Sequence, residues 1–415
     1  MTHMVPDVKA IATLVIFAVT YLGMALGRLP FFRLDRTGIA LVGASLMLAV
    51  GAIGLDAAFK AVDLNVIVLL LGMMAIIAHL QLAGFFRLVS TFVVMRAGSP
   101  MALLCGIVAV AGVLSAFLVN DAVCLIMAPL VIDVVGRLKR DPLPYLLATA
   151  MASNAGSAAT LTGNPQNMII GLDAHLSYGG FAARLAPPAF VALVAVILIV
   201  ALVYRREFAT PFVQQPVPSK PRWHTAQVVK ALSVCLGVVI AFFINVPMAE
   251  AAIIGASLLF FTRAVKSRKI YTRIDGGLLL MFAGLFVVTA AARQNLLTPP
   301  VMQAVAALHL ENGWSLAAVT ALLSNLVSNV PAILVLQPFI DRLPHADAAW
   351  RIVAMSSTFA GNLTLLGSVA NLIIAERAKG AGIEISFFTY MKIGLPVTLI
   401  SLVMGTWWLM AGWGG

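Results

Sequence analysis

The stretch Thr160–Gly171, TLTGNPQNMIIG, sets Gly163, Asn164, Pro165 and Asn167 into an otherwise apolar run. Glycine weakens a helix and proline removes a backbone donor, so the pattern predicts a helix that stops and restarts. Away from water such a break leaves several N–H and C=O groups without partners, and polar neighbours must supply them. The reading of the fold turns on whether this stretch lies at membrane depth.

Composition puts it there. Of 415 residues, 61% are hydrophobic and 10% charged, and mean hydropathy is +1.02, far outside the range of water-soluble domains. Apolar runs near the 20 residues needed to cross about 30 Å of hydrocarbon recur along the chain, without the alternation of a barrel strand. The sequence predicts an all-α polytopic membrane protein. Its net charge of +11 comes from basic residues spread through short loops, with no basic block interleaved with aromatics, which argues against a nucleic-acid partner. Cys105, Cys124 and Cys235 lie in apolar segments without CxxC spacing and read as packing residues. The start MTHMVPDVKA runs into a span too long for a signal h-region, so the first span is expected to stay.

Spans are expected near 9–27, 38–56, 64–84, 144–174 (broken by the opening motif) and 186–204, then near 226–245, 248–262, 276–296, 352–375 (also broken) and 391–411. Each half also holds an apolar pair of arms, 101–118 with 121–136 and 314–328 with 331–342. Their connectors, LVNDA and VSNVP, are short and uncomfortable in headgroups, and read as re-entrant tips buried in protein. The halves match by position: NDAVCLIMAP (120–129) parallels NVPAILVLQP (329–338), NAGSAATLTGNPQNMIIG (154–171) parallels AGNLTLLGSVANLIIAE (360–376), and DLNVIVLLLG (63–72) parallels DGGLLLMFAG (275–284). This predicts a duplicated transporter. The first repeat occupies 1–210 (scaffold 1–84, transport 101–204), a Pro-rich cytoplasmic linker 211–225, and the second repeat 226–415 (scaffold 226–296, transport 314–411).

Basic clusters at Arg28, Arg33 and Arg36, at Arg87 and Arg96, at Arg137, Lys139 and Arg140, at Arg205, Arg206, Lys220 and Arg222, at Arg263, Lys266, Arg268, Lys269 and Arg273, and at Arg377, Lys379 and Lys392 place roughly 20 of the 27 Lys and Arg on one side, the cytoplasmic one. The two copies then run in opposite senses, each with five spanning helices, the broken one included, plus a re-entrant hairpin. Both termini are expected outside a bacterial or archaeal plasma membrane.

Helix ends aimed at a shared cavity favour anions, and unwound carbonyls can coordinate Na⁺ or a proton-carrying water. The candidate substrate or ion ligands are Asn120, Asp121, Asn154, Ser157, Thr162, Gly163, Asn164, Asn167, Ser328, Asn329, Gly367, Ser368 and Asn371. Gly163 and Gly367 are expected to supply backbone conformations barred to residues with a Cβ. Asp121 is the only carboxylate near mid-depth, where an ionisable group is costly unless paired or hydrated, so it is the candidate carrier of the coupling proton, or of Na⁺. A helix-capping role for Asp121 is the alternative. Cys124, one turn beyond Asn120, is a candidate thiol for a trivalent metalloid, against its plainer role in packing. Six histidines show no metal-ligand spacing, and no Ser/His/Asp grouping shares a segment, so no enzyme, metal site or cofactor is expected.

These motifs resemble the ion-transporter superfamily of arsenite/antimonite efflux permeases, sodium/proton antiporters and dicarboxylate/sodium symporters. AFLVNDAVCLIMAPL is similar to its first hairpin tip and NAGSAATLTGNPQNMIIG to its first broken helix, nearest the arsenite and anion-permease branch. The resemblance implies elevator carriers, usually homodimers, whose binding loops fall on Asn120, Asp121, Gly163, Asn164, Asn167, Ser328, Asn329, Gly367, Ser368 and Asn371. The dicarboxylate branch has a Ser-Asn-Thr tip in both hairpins; Val119-Asn120-Asp121 and Ser328-Asn329-Val330 depart from it. The expectation is therefore proton-coupled efflux of arsenite or antimonite, with a Na⁺-coupled anion or dicarboxylate symporter, or a channel, as alternatives. Expected partners are a small inorganic substrate, membrane lipid and a second copy of the chain; the sequence gives no sign either way of a soluble ATPase subunit.

Overall fold

The computed structural model describes residues 8–26, 34–209, 224–261 and 265–411, and the side chain of every one of them except Val94. The predicted linker as far as residue 223, and Arg28, Arg33, Lys220, Arg222 and Arg263 of the basic clusters, fall outside the described residues. The first half runs α1 (Val8–Leu26), α2 (Arg36–Ala49), α3 (Leu55–Ala61), α4 (Leu64–Ala83), α5 (Phe85–Arg96), α6 (Pro100–Phe117), α7 (Asn120–Arg137), α8 (Pro142–Ser157), α9 (Pro165–Asp173), α10 (Tyr178–Val203) and α11 (Arg205–Ala209). The second runs α12 (Thr225–Phe243), α13 (Met248–Phe260), α14 (Ser267–Tyr271), α15 (Gly276–Leu296), α16 (Pro299–Ala306), α17 (Gly313–Val327), α18 (Asn329–Ile340), α19 (Ala346–Ala360), α20 (Val369–Gly380) and α21 (Phe387–Ala411). No strand occurs among the described residues. Seven helices, α1, α4, α6, α10, α12, α15 and α21, are long and apolar enough to cross a membrane.

Both breaks fall where the sequence puts them. α8 ends at Ser157, a 3₁₀ turn covers Leu161–Gly163, and α9 restarts behind the Asn164 cap; α19 ends at Ala360 and α20 restarts behind Ser368. The paired arms are α6 with α7 and α17 with α18, joined by one or two non-helical residues. Some boundaries differ from expectation: α19 begins six residues before 352, α20 runs five past 375 and α21 begins four before 391. The span at 38–56 ends early because Gly51 takes a φ of +66°, leaving α2 with 14 residues, or about 21 Å. Conversely, α10 begins eight residues before 186, capped by Ser177, and carries Pro187 and Pro188 within it.

The short helices lean on long ones from the other half of the chain, α2 on α15 and α13 on α4, and Thr37 Oγ1 donates to Gly277 O at 3.0 Å. The hairpins and broken helices form a second cluster, in which α8 packs on α6, α7 and α10, α19 packs on α17 and α21, and α10 lies along α21. Leu198, Leu202, Phe388 and Trp407 remain exposed on α10 and α21, an apolar outer surface suited to lipid. Backbones approach closely where α8 meets α6: a Cβ at Gly156 would lie 2.1 Å from Gly112 O. Gly156→Val should therefore force these helices apart, lowering stability by about 3 kcal/mol or more, read as loss of the monodisperse peak in fluorescence-detected gel filtration.

Candidate functional site

Each break solves its backbone problem with one asparagine. At the first, Asn167 Nδ2 donates to Ser157 O (3.2 Å) and Thr160 O (2.9 Å); at the second, Asn371 Nδ2 donates to Gly361 O (2.6 Å) and Thr364 O (3.1 Å). Donor and both acceptors recur 204 positions apart, the offset of Gly163 from Gly367. These carbonyls lie where the first helical segment gives out, and the amide replaces the N–H groups that the missing turn would have provided. The restarting helices are capped at matching positions: Asn164 Oδ1 accepts from Asn167 N (3.0 Å) and Ser368 Oγ from Ala370 N (3.2 Å). The glycines act differently from expectation. Neither Gly163 nor Gly367 has a positive φ; a Cβ on Gly163 would lie 2.1 Å from Ser157 O, and on Gly367 2.8 Å from Asn325 Oδ1, so close approach is what excludes a side chain.

Asn154 ties the two breaks together. Its Nδ2 donates to Asn362 Oδ1 and Asn371 Oδ1, both at 3.0 Å, while its Oδ1 accepts from Ser368 Oγ (3.0 Å) and Asn120 Nδ2 (3.2 Å). The matching position in the other half, Thr358, accepts from Asn164 Nδ2 (3.1 Å) and Gln166 Nε2 (3.4 Å). Each half thus reaches into the other's break through a fully buried side chain. Ser153 Oγ donates to Asn120 O (3.2 Å) and Ser324 Oγ to Asn329 Oδ1 (2.6 Å), fixing the two tips.

In front of this network lies a cavity of about 390 Å³ that brings together both tips and both restarting helices. Asn120, Asp121, Ser328, Asn329 and Ser368 line it. Asn154, Ser157, Thr162, Gly163, Asn164, Asn167, Gly367 and Asn371 do not line it; they form or support the wall behind. Ser157 Oγ receives Asn164 Nδ2 at 3.1 Å, and Thr162 Oγ1 pairs with Tyr178 OH at 2.8 Å. Cys124 is fully buried in α7 and is not among the lining residues. The cavity also takes in residues that the sequence reading did not place in the site: Gln166, Asp35, Arg36, Asp275 and Glu376. Arg36 reads as one more loop cation, but as the first residue of α2 it enters the cavity; Gln166 lies inside the opening motif, yet nothing in its context marks it.

Electrostatically the lining is acidic, four carboxylates to one guanidinium. Asp35 and Asp275 are engaged as helix caps, on Gly38 N and Leu278 N. Asp121 does not cap α7, whose N-cap is Val119 without a side-chain bond; its carboxylate faces Arg36, Asp275 and the Ala370 backbone N–H. Asn120 Oδ1 is buried without a partner among the described residues. The tips differ in backbone: Ser328 has φ +76° and ψ 160°, a region open essentially to glycine, whereas Val119 is ordinary extended chain.

A model of the citrate transporter family, CitMHS, matches residues 12–360. The chain belongs to that family. Family relatives extend along nearly its full length. An uncharacterized transporter of Mycobacterium tuberculosis is 31% identical over 403 residues, covering 91% of this chain and 94% of its own. A silicon efflux transporter of Oryza sativa subsp. japonica is 26% identical over 472 residues, covering 96% and 97%. An arsB-named transporter of Dictyostelium discoideum is 23% identical, covering 90% and 86%. The crystal structure of the Alcanivorax borkumensis YdaH transporter superposes with a TM-score of 0.60 at 18% identity, covering 98% of both chains, a likeness of fold. This family member is an integral membrane transporter, within the ion-transporter superfamily that its motifs resemble, and not an enzyme.

Two outcomes test the site. Asn154→Ala strands four buried polar partners and should lower stability by about 3 kcal/mol or more, seen as a fall in Tm; an unchanged Tm means the network does not join the halves. Ser328→Gly removes backbone strain and should raise stability by about 1–3 kcal/mol, whereas Ser328→Ala should give no comparable gain.

Proposed function

We propose that the protein is a proton-coupled efflux carrier for a small uncharged metalloid acid, arsenite or antimonite first, working by an elevator movement of two oppositely oriented copies. The observation that carries this reading is the charge of the cavity. With four carboxylates to one guanidinium it repels a bare polyanion such as citrate, while its amides and hydroxyls suit a neutral, hydroxyl-bearing solute. Arsenous and silicic acids share that chemistry, and relatives named for silicon efflux and for arsB fit the same class. The paired amide clamps 204 positions apart support duplicated halves, with the hairpin and broken-helix cluster as the moving body and the α2, α4, α13 and α15 group as the scaffold.

Asp121 is assigned the coupling proton. Placed on a tip, not engaged as the cap of its own helix α7 and facing Arg36, it can exchange the guanidinium for a proton as the tip moves. Na⁺ coupling is the alternative, favoured by the unpartnered Asn120 Oδ1, an oxygen ligand suited to a hard cation.

The test is counterflow in proteoliposomes with arsenite, antimonite, silicic acid and citrate, with and without Mg²⁺, under an imposed pH gradient. Arsenite or antimonite should exchange and be driven by the gradient; Asp121→Asn should keep counterflow but lose at least about tenfold of the gradient-driven rate. Exchange of citrate alone would overturn the substrate assignment, and a rate that follows Na⁺ when choline replaces it at fixed pH would overturn the proton.

A further inference from the structure

A second and larger cavity, about 870 Å³, lies beside the first and meets it at Asp275. Its walls come from the end of α4, from α5 and α7, from His224 ahead of α12, from the approach to α15, and from α20. The turn that shapes it is Gly84, the C-cap of α4 at φ +90°, which folds α5 back so that Arg87 stands at the rim. Arg273 and Arg377 reach the same cavity from two other elements.

Three guanidiniums therefore surround one space. Arg273 is steadied by Gln81, to whose Oε1 its Nη1 donates at 2.8 Å, and Arg87 and Arg377 make no ion pair among the described residues. The single carboxylate in the lining, Asp275, is already engaged with Leu278 N. All three arginines are exposed. The lining also holds an apolar stretch, Leu125, Ile126, Pro129 and Leu130 of α7, and Leu125 is 39% exposed. A soluble anion would gain from the arginines and nothing from that wall. An acyl chain gains from the wall, at about 0.8 kcal/mol per buried CH₂, while its headgroup phosphate is held by the guanidiniums.

We infer that this cavity is a binding site for an anionic phospholipid, its phosphate held by Arg87, Arg273 and Arg377 and its chain lying along α7. The assignment rests on charge and wall chemistry alone and stands apart from the transport reading. Since Arg377 follows Glu376, which lines the central cavity, a bound lipid would touch the element that forms the substrate wall.

The test uses the full chain, purified and delipidated in neutral detergent. Phosphatidylglycerol should raise Tm by roughly 5 °C and give a mass adduct in native mass spectrometry; phosphatidylcholine, and millimolar inorganic phosphate or glycerol 3-phosphate, should not. The triple variant Arg87→Gln, Arg273→Gln, Arg377→Gln should lose most of the shift and the adduct. Leu130→Trp, which fills the wall and leaves every arginine in place, should do the same. Equal stabilisation by phosphatidylcholine, a full effect from inorganic phosphate, or an undiminished shift in monodisperse preparations of both variants would each overturn the proposal.

Discussion

Peptide groups released by a broken helix must find partners inside the protein, and the arrangement of the whole transport cluster follows from that demand. Asn167 and Asn371 meet it locally, each placing one amide across two abandoned carbonyls. Their positions fix how tightly each break must fold, which in turn leaves no room for a Cβ at Gly163 or Gly367. Once the breaks are folded, the restarting helices point at the tips from across the molecule, and a polar space opens between them.

The second layer of satisfaction is what makes one body of two halves. Asn154 and Thr358 reach across rather than along the chain, so neither break is complete without the other half. Buried polar networks of this kind are unforgiving, since each member left without a partner carries its full desolvation penalty.

Much of this was legible beforehand. Hydropathy located the spans, and Gly-Asn-Pro located the first break within a residue or two, because both are set by local chemistry. The hairpin connectors were legible as well: LVNDA and VSNVP fall between paired apolar arms, and the chain turns there from α6 into α7 and from α17 into α18. The direction of a side chain was not. Asn164 and Ser368 hold matching cap positions along their motifs, yet the first turns its amide into the protein and the second lines the cavity. Arg36 was hidden for the opposite reason, since a loop arginine and a cavity arginine look alike until α2 and α7 are brought together. Glycine was legible as a requirement but not in its cause, which was crowding rather than dihedral angle.

The two tips are not alike. A chamber with perfect twofold lining would offer every contact in duplicate, and a solute would have two equivalent poses. With Asp121 on one tip and Val330 at the matching place on the other, and one tip relaxed while its counterpart is wound at Ser328, the chamber has a front and a back. Within a single polypeptide such divergence can persist, because each position can change without changing its twin.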